Sequence, residues 1–121
     1  MSENEQSAIK ALGESILAWG KKLAQVRNGL WREVKFGTSS CPLCQIYYRD
    51  ACEGCPVYRD TGERYCKGSP YDDVSVAFGR CLECGSPTNL RALEASVKAE
   101  LEYLRRLYRE AVDEQEKKEK K

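Results

Sequence analysis

Residues 90–111, LRALEASVKAELEYLRRLYREA, decide the fold class of this chain. Large apolar side chains recur there every three or four positions, which is the spacing of one face of an α-helix. Charged side chains of mostly alternating sign occupy every fourth position on another side, which suits that side to water. The preceding Ser86-Pro87 is typical of a helix start. The pattern predicts a long helix over residues 87–112 and a charged tail over 113–121 that frays into solvent.

A second apolar stripe lies near the N-terminus and predicts a helix over residues 6–30. Its large side chains follow one another at alternating spacings of three and four: Ile9, Leu12, Ile16, Trp19, Leu23, Val26 and Leu30. Gly29 is a natural stop for this helix. The two stripes predict two long helices that pack on each other in antiparallel fashion. A second chain is the alternative partner, and it would make a homodimer through residues 9–30.

The middle of the chain lacks such a stripe. Residues 37–68 hold five of the seven cysteines among Gly, Pro, Ser, Thr and Asp, with too few apolar side chains to fold unaided. After them, Ser69-Pro70 predicts the start of a short helix that Gly79 ends. The predicted fold is mainly α: two long antiparallel helices, a short helix and an irregular, metal-stapled Cys-rich insert over residues 37–85. All of this belongs to a single domain over residues 1–112.

Composition excludes several function classes. The chain has 121 residues, a net charge of +1, seven cysteines and no histidine. Without histidine there is no Ser–His–Asp triad and no His-ligated metal, and no other nucleophile or cofactor motif is present, so we expect a protein that is not an enzyme. Positive and negative charges are nearly equal in number, which argues against a protein that binds nucleic acid or a membrane surface. The acidic N-terminus and the lack of a long apolar run predict a cytoplasmic protein with reduced thiols.

The cysteines are the chemically informative residues. They form three CxxC pairs and one single residue: Cys41/Cys44, Cys52/Cys55, Cys81/Cys84 and Cys66. Three such pairs without histidine predict a metal bound by thiolates, with all seven cysteines as candidate ligands. Zinc is the favoured metal, and a [4Fe-4S] cluster is the alternative. The first pair can join the second in a local loop, or the third in a zinc-ribbon-like arrangement.

Part of this segment resembles a known group of proteins. The stretches CPLC (41–44), CEGCPVYRDTGERYC (52–66) and KGSPY (67–71) are similar to small Cys-rich proteins of bacteriophages and prophages, a group without a settled activity. The resemblance implies a phage setting, hence the cytoplasm of a host cell. It also implies a five-cysteine site at Cys41, Cys44, Cys52, Cys55 and Cys66. The third pair departs from the pattern of the group.

We therefore predict a small non-enzymatic metal-binding protein whose metal fixes the shape of a loop surface. That surface would contact a host or phage macromolecule, a protein rather than a nucleic acid. A redox-sensing or electron-carrying iron–sulfur protein is the first alternative. The second is a zinc-ribbon-like nucleic-acid binder that uses Arg49, Arg59 and Arg64 among neighbouring tyrosines. Acidic residues outnumber basic ones over 41–84, which disfavours this last reading.

Overall fold

The computed structural model describes residues 3–36, 47, 55–63 and 68–119. The helices in this part of the chain are α1 (Glu3–Arg27), α2 (Pro56–Thr61), α3 (Tyr71–Glu83) and α4 (Pro87–Glu119), and a short 3-10 helix spans Trp31–Glu33. No β-strand occurs among the described residues. The expectation of a mainly helical fold is confirmed.

The two long helices pack on each other along their length. A Cβ at Gly13 would lie 3.6 Å from the ring of Tyr108. Near the other end of the pair, Arg27 Nε donates to Glu94 Oε1 over 2.8 Å. Later residues of α1 therefore contact earlier residues of α4, so the two helices are antiparallel, as predicted. The interface is apolar, with Leu12 and Leu93 among its fully buried side chains.

The end of α1 follows from one glycine. Gly29 has a φ of 79°, a left-handed conformation that other residues adopt at a steric cost. The Leu30 amide donates to the Gln25 carbonyl over 2.8 Å and the Gly29 amide to the Val26 carbonyl over 3.2 Å, which is the Schellman pattern. The helix therefore ends at Arg27 rather than at 30. Leu30 leaves the predicted stripe and is 46% exposed.

Helix α4 begins where the sequence predicts and ends later. The Ser86 hydroxyl accepts a hydrogen bond of 3.2 Å from the Asn89 amide, which caps the helix start. The helix continues to Glu119, although the sequence predicts an end at 112 and a frayed tail beyond it. Extending an existing helix adds one backbone hydrogen bond per residue without a new nucleation step. Gln115 of the tail is also half-buried and lines a groove with Ala8 and Ile9 of α1, so the start of the tail lies against α1.

Helix α3 also runs further than expected. It passes through Gly79, the predicted stop, and ends at Glu83. Val74, Ala77 and Cys81 lie on one side of α3 and are buried. Their packing on α4 offsets the roughly 1 kcal/mol that a glycine costs inside a helix. The expectation that the third CxxC pair sits in an irregular segment is wrong, because Cys81 lies in the last turns of this helix.

An aromatic cluster joins α1, α3 and the chain that follows the 3-10 helix. Phe36 lies at its centre, with ring centroids 5.0 Å from Phe78 and 6.0 Å from Trp19. Trp31 meets Phe78 edge-on at 6.1 Å, and Lys22 Nζ lies 4.6 Å from the centroid of Trp19. Offset and edge-on ring pairs of this kind stabilise a core beyond the area they bury. The cluster fixes Phe36, the last described residue before the cysteines.

Candidate metal centre

The two ends of the Cys-rich segment are held together by the bundle. The Tyr71 hydroxyl donates a hydrogen bond to the carbonyl oxygen of Phe36. Tyr71 also packs edge-on against Trp19, with centroids 6.2 Å apart. Phe36 and Tyr71, which flank the Cys-rich segment, are therefore in contact with each other. This closes a loop that contains five of the seven cysteines, and closing a loop of this length lowers the entropic cost of ordering it.

One cysteine of that loop, Cys55, is described and is buried. Its carbonyl accepts a hydrogen bond of 3.0 Å from the Arg59 amide in the first turn of α2. Pro56 occupies the first helical position, where its missing amide hydrogen costs nothing. Tyr47 lies nearby, and burial together with the charge of Cys55 raises the pKa of its hydroxyl. Local sequence and burial thus fix the position of this sulfur in the fold.

Helix α2 is anchored to α4 by a polar cluster. The Tyr103 hydroxyl donates to Asp60 Oδ2 over 2.7 Å, and Arg106 Nη2 donates to the same oxygen over 3.0 Å. Burial, and next the hydrogen bond to Asp60, raise the pKa of Tyr103. The sequence contains no local signal for this cluster, because 43 positions separate Asp60 from Tyr103. Because Cys55 directly precedes α2, this polar cluster also places Cys55 beside the C-terminal half of α4.

The third CxxC pair has a different environment. Cys81 is fully buried between α3 and α4, and its thiol donates to the Asn89 carbonyl over 3.3 Å. Burial raises the pKa of this thiol. Cys84 is the C-cap residue that follows α3, and it is exposed. The Asn89 side chain donates to the Cys84 carbonyl over 2.7 Å, so the pair belongs to the turn that joins the two helices.

Cys55 and the third pair lie at opposite ends of the bundle. Pro56, next to Cys55, lines one groove with Leu107 and Glu110, whereas Cys81 contacts Asn89. At 1.5 Å per residue, the stretch of α4 from Asn89 to Leu107 is about 27 Å long. Sulfurs on one zinc ion lie within about 5 Å of each other, because each Zn–S bond is about 2.3 Å. The bundle therefore does not bring Cys55 and Cys81 to one ion.

The other candidate ligands, Cys41, Cys44, Cys52 and Cys66, lie outside the described residues. Within the described part of the chain, no three Cys, His, Asp or Glu side chains are close enough to hold a metal. The three cysteines described there form no disulfide. Of the three described cysteines, Cys55 is the one that lies within the segment that holds the four others, and it is buried.

The predicted arginine patch is described at one position only. Arg59 is exposed and lines a groove with Glu110 and Glu114. Two carboxylates beside it make this surface a poor binder of phosphates. Arg49 and Arg64 lie outside the described residues.

Comparisons with models of protein families, with curated proteins and with solved structures give no match to this chain. None of the helices in the described ranges has a stretch long and apolar enough to cross a membrane.

Proposed function

We propose that this chain is a small, non-enzymatic metal-binding protein of phage type that acts in the cytoplasm of a host cell. A thiolate-bound ion, zinc in the first place, shapes its Cys-rich segment, and the protein then binds another protein. The observation that carries the proposal is the set of CxxC pairs without histidine, two of them in a segment with little apolar material. The buried position of Cys55 within that segment supports it.

The bundle supports a structural rather than a catalytic role for the metal. Phe36 and Tyr71 already hold the two ends of the segment, so an ion between them need only order the loop. Helices α3 and α4 bury their own apolar faces, so we expect them to fold without metal. The residues whose folding would depend on metal are therefore those of the loop before α3, rather than all of residues 37–85. The metal would then work as a staple for a surface.

The test is elemental analysis and a visible spectrum on protein purified without oxygen. We expect about one zinc ion per chain and no visible band. Iron and sulfide in the preparation, with a broad visible absorption band, would show that the metal is an iron–sulfur cluster rather than zinc. A protein that contains no metal after expression with added zinc and iron would overturn the proposal.

The face of the α1–α4 pair fits the expected protein partner. Four exposed cations lie along one side of α4: Arg91, Lys98, Arg105 and Arg109. None of them makes an ion pair or hydrogen bond with the described residues, in contrast to Arg27 and Arg106. Ile16 of α1 and Tyr108 of α4 form the apolar part of a groove that Arg105 and Arg109 also line. Leu17, the next residue along α1, is 70% exposed.

Such a face is complementary to an amphipathic helix that carries acidic residues beside an apolar stripe. The stripe would lie in the groove, and the carboxylates would meet the α4 cations that have no partner among the described residues. Glu102 also lines this groove, and the chain has a net charge of only +1, so a polyphosphate backbone is a poorer fit. A homodimer through residues 9–30 would have to use an exposed side of α1, because the buried side packs on α4 and the aromatic cluster.

Affinity capture from a host lysate, with and without nuclease treatment, tests this surface. We expect the wild-type protein to retain a protein that the Arg105→Glu/Arg109→Glu variant loses. Arg80→Glu is the matched control, because it reverses an exposed charge on α3, away from the groove. Capture that is insensitive to the double charge reversal would refute this surface, and capture that nuclease abolishes would favour a nucleic acid.

A further inference from the structure

We infer that a second copy of this chain docks, by a twofold contact, in the groove between α3 and α4. On the α3 side the groove is lined by Asp73, Val76 and Arg80, and on the α4 side by Ala92, Ala95 and Ala99. It shares no lining residue with the groove between α1 and α4 that we propose for the protein partner. The inference therefore goes beyond the proposed function and does not depend on the metal.

The wall of the groove that α3 provides has an apolar side chain left in water. Val76 is 55% exposed, whereas Val74 and Ala77 of the same helix are buried. A β-branched residue has a lower helix propensity than most alternatives, so local helix stability does not account for a valine at this exposed position. Val76 is the side chain that a second molecule would bury.

The wall that α4 provides is low and offers little polarity. Its three alanines are exposed and small. The hydroxyl of Ser96, which lies among them, donates to the Ala92 carbonyl over 2.8 Å, so it is satisfied within its own helix. Helices approach each other most closely where the side chains at the contact are small. The groove can therefore accept the side of another helix.

The two ends of the groove carry opposite charges. Asp73 and Arg80 lie on the same side of α3, seven residues apart, which is about 10.5 Å along the helix. Both side chains are exposed, and neither makes an ion pair or a hydrogen bond with the described residues. The point midway between them lies between Val76 and Ala77, so the arrangement has the same apolar centre when it is read from either end.

A twofold axis at this midpoint would match the groove with itself. The α3 helices of the two copies would run antiparallel, so that Asp73 of each copy faces Arg80 of the other. Val76 would lie near the axis and pack on the alanines of the second copy. A ligand of a single charge sign would meet one favourable end and one repulsive end. A second copy is thus the occupant whose charges are complementary to both ends.

This dimer differs from a homodimer through residues 9–30, because no residue of α1 lines the groove. The contact involves one side of α3 and a short stretch of α4 from each copy. Interfaces of such small area are at the weak, reversible end of specific protein contacts. We therefore expect monomer and dimer to exchange at micromolar concentrations of the chain.

Sedimentation velocity of the full chain over a range of micromolar concentrations measures the association. The buffer contains a reductant, so that the exposed Cys84 forms no disulfide between chains. Val76→Lys should weaken the association at least about tenfold, because it places two charges near the axis. Ser75→Lys is the matched control, since it adds the same charge at the adjacent exposed position, outside the groove. Circular dichroism verifies that both variants are folded.

Charge reversal gives a sharper measurement. Asp73→Arg and Arg80→Asp each place like charges opposite each other, so each variant alone should be monomeric. An equimolar mixture of the two should form a heterodimer, because the arginines of one chain then face the aspartates of the other at both ends. Since Arg80 does not line the groove between α1 and α4, a monomeric Arg80 variant still presents that groove, and capture of a partner is tested separately.

A wild-type chain that stays monomeric at every concentration would overturn the inference. A dimer that Val76→Lys leaves unchanged would also overturn it, because the contact would then lie on another face. Charge-reversed variants that do not associate when mixed would contradict the pairing of Asp73 with Arg80. None of these outcomes concerns metal content or the capture of a partner, so a failure here is distinct from a failure of the proposed function.

Discussion

Replacing Tyr103 by Phe tests how α2, and with it Cys55, is held on the bundle. The substitution keeps the ring but removes the hydroxyl that donates to Asp60 Oδ2 over 2.7 Å. A hydrogen bond to a charged acceptor contributes about 1.5–3 kcal/mol when it is well buried. The Asp60 side chain is 32% exposed and keeps its contact with Arg106, which lowers the expected loss to about 1 kcal/mol. For a domain of this size that corresponds to about 4 °C in Tm.

The assay is urea and thermal unfolding followed by circular dichroism, with hydrogen exchange of the Gly62 amide as a local readout. That amide donates to the Tyr58 carbonyl at the end of α2, so it exchanges faster if α2 detaches on its own. Tyr108→Phe is the matched control, because Tyr108 is another half-buried tyrosine of α4. Its hydroxyl makes no hydrogen bond to the described residues, so we expect a change within about 0.5 kcal/mol.

The same pair predicts a dependence on alkaline pH. Burial and Asp60 raise the pKa of Tyr103 in the folded protein above its ordinary value of about 10. The unfolded chain then loses this proton first, so the stabilisation is complete below about pH 10 and is lost as the pH rises further. The wild type should lose more stability above that pH than Tyr103→Phe does. Equal effects of Tyr103→Phe and Tyr108→Phe, or no coupling between Tyr103→Phe and Asp60→Asn, would refute the reasoning.

Three further outcomes are expected. Gly20→Ala should raise stability by about 0.5–1 kcal/mol because Gly20 lies inside α1 with open space around it, whereas Gly29→Ala should lower stability by about 1 kcal/mol because its φ is positive; urea unfolding measures both. Leu93→Ala should cost about 2–5 kcal/mol because Leu93 is fully buried, and Leu17→Ala on the exposed face should change stability by less than about 0.5 kcal/mol. Chelation of a bound metal should leave most of the far-ultraviolet helical signal in place, and a complete loss of helix on chelation would show that the bundle depends on the metal.

The periodic elements of this fold could be predicted from the sequence because their signals are local. The stripe from Leu93 to Leu104 predicts a buried helix face, and these residues are buried as expected. Ser86 predicts a helix start and caps one. Each of these signals spans only a few turns, and the apolar stripe needs nothing more than a second stripe to pack against.

The elements that were not predicted depend on contacts that are distant in sequence. Gly79 has the local character of a helix stop, but Ala77 and Cys81 pack on α4 and carry the helix through it. The Asp60–Tyr103 contact decides where α2 lies, and neither residue stands out within its own segment. Tertiary packing overrides propensity at both places.

The cysteine spacing shows why the candidate site was only partly predictable. Two residues between cysteines suit a turn around an ion, but positions three apart in a helix are also close neighbours on one side. The spacing therefore cannot distinguish Cys81-x-x-Cys84 at the end of a packed helix from a metal-binding turn. Flanking apolar residues can, because Val74 and Ala77 continue the buried side of α3 toward Cys81. A CxxC whose first cysteine falls on an apolar helical stripe is better interpreted as core.

The bundle and the Cys-rich segment are stabilised in different ways. The aromatic cluster around Phe36 and the α3–α4 turn around Asn89 use apolar contacts and hydrogen bonds that need no ion. Cys55, by contrast, lies within a segment whose sequence has few apolar side chains to bury. A bundle that folds without metal would hold the two ends of the Cys-rich loop together before metal binds. The affinity for metal would then be lowered only by the entropic cost of ordering that loop.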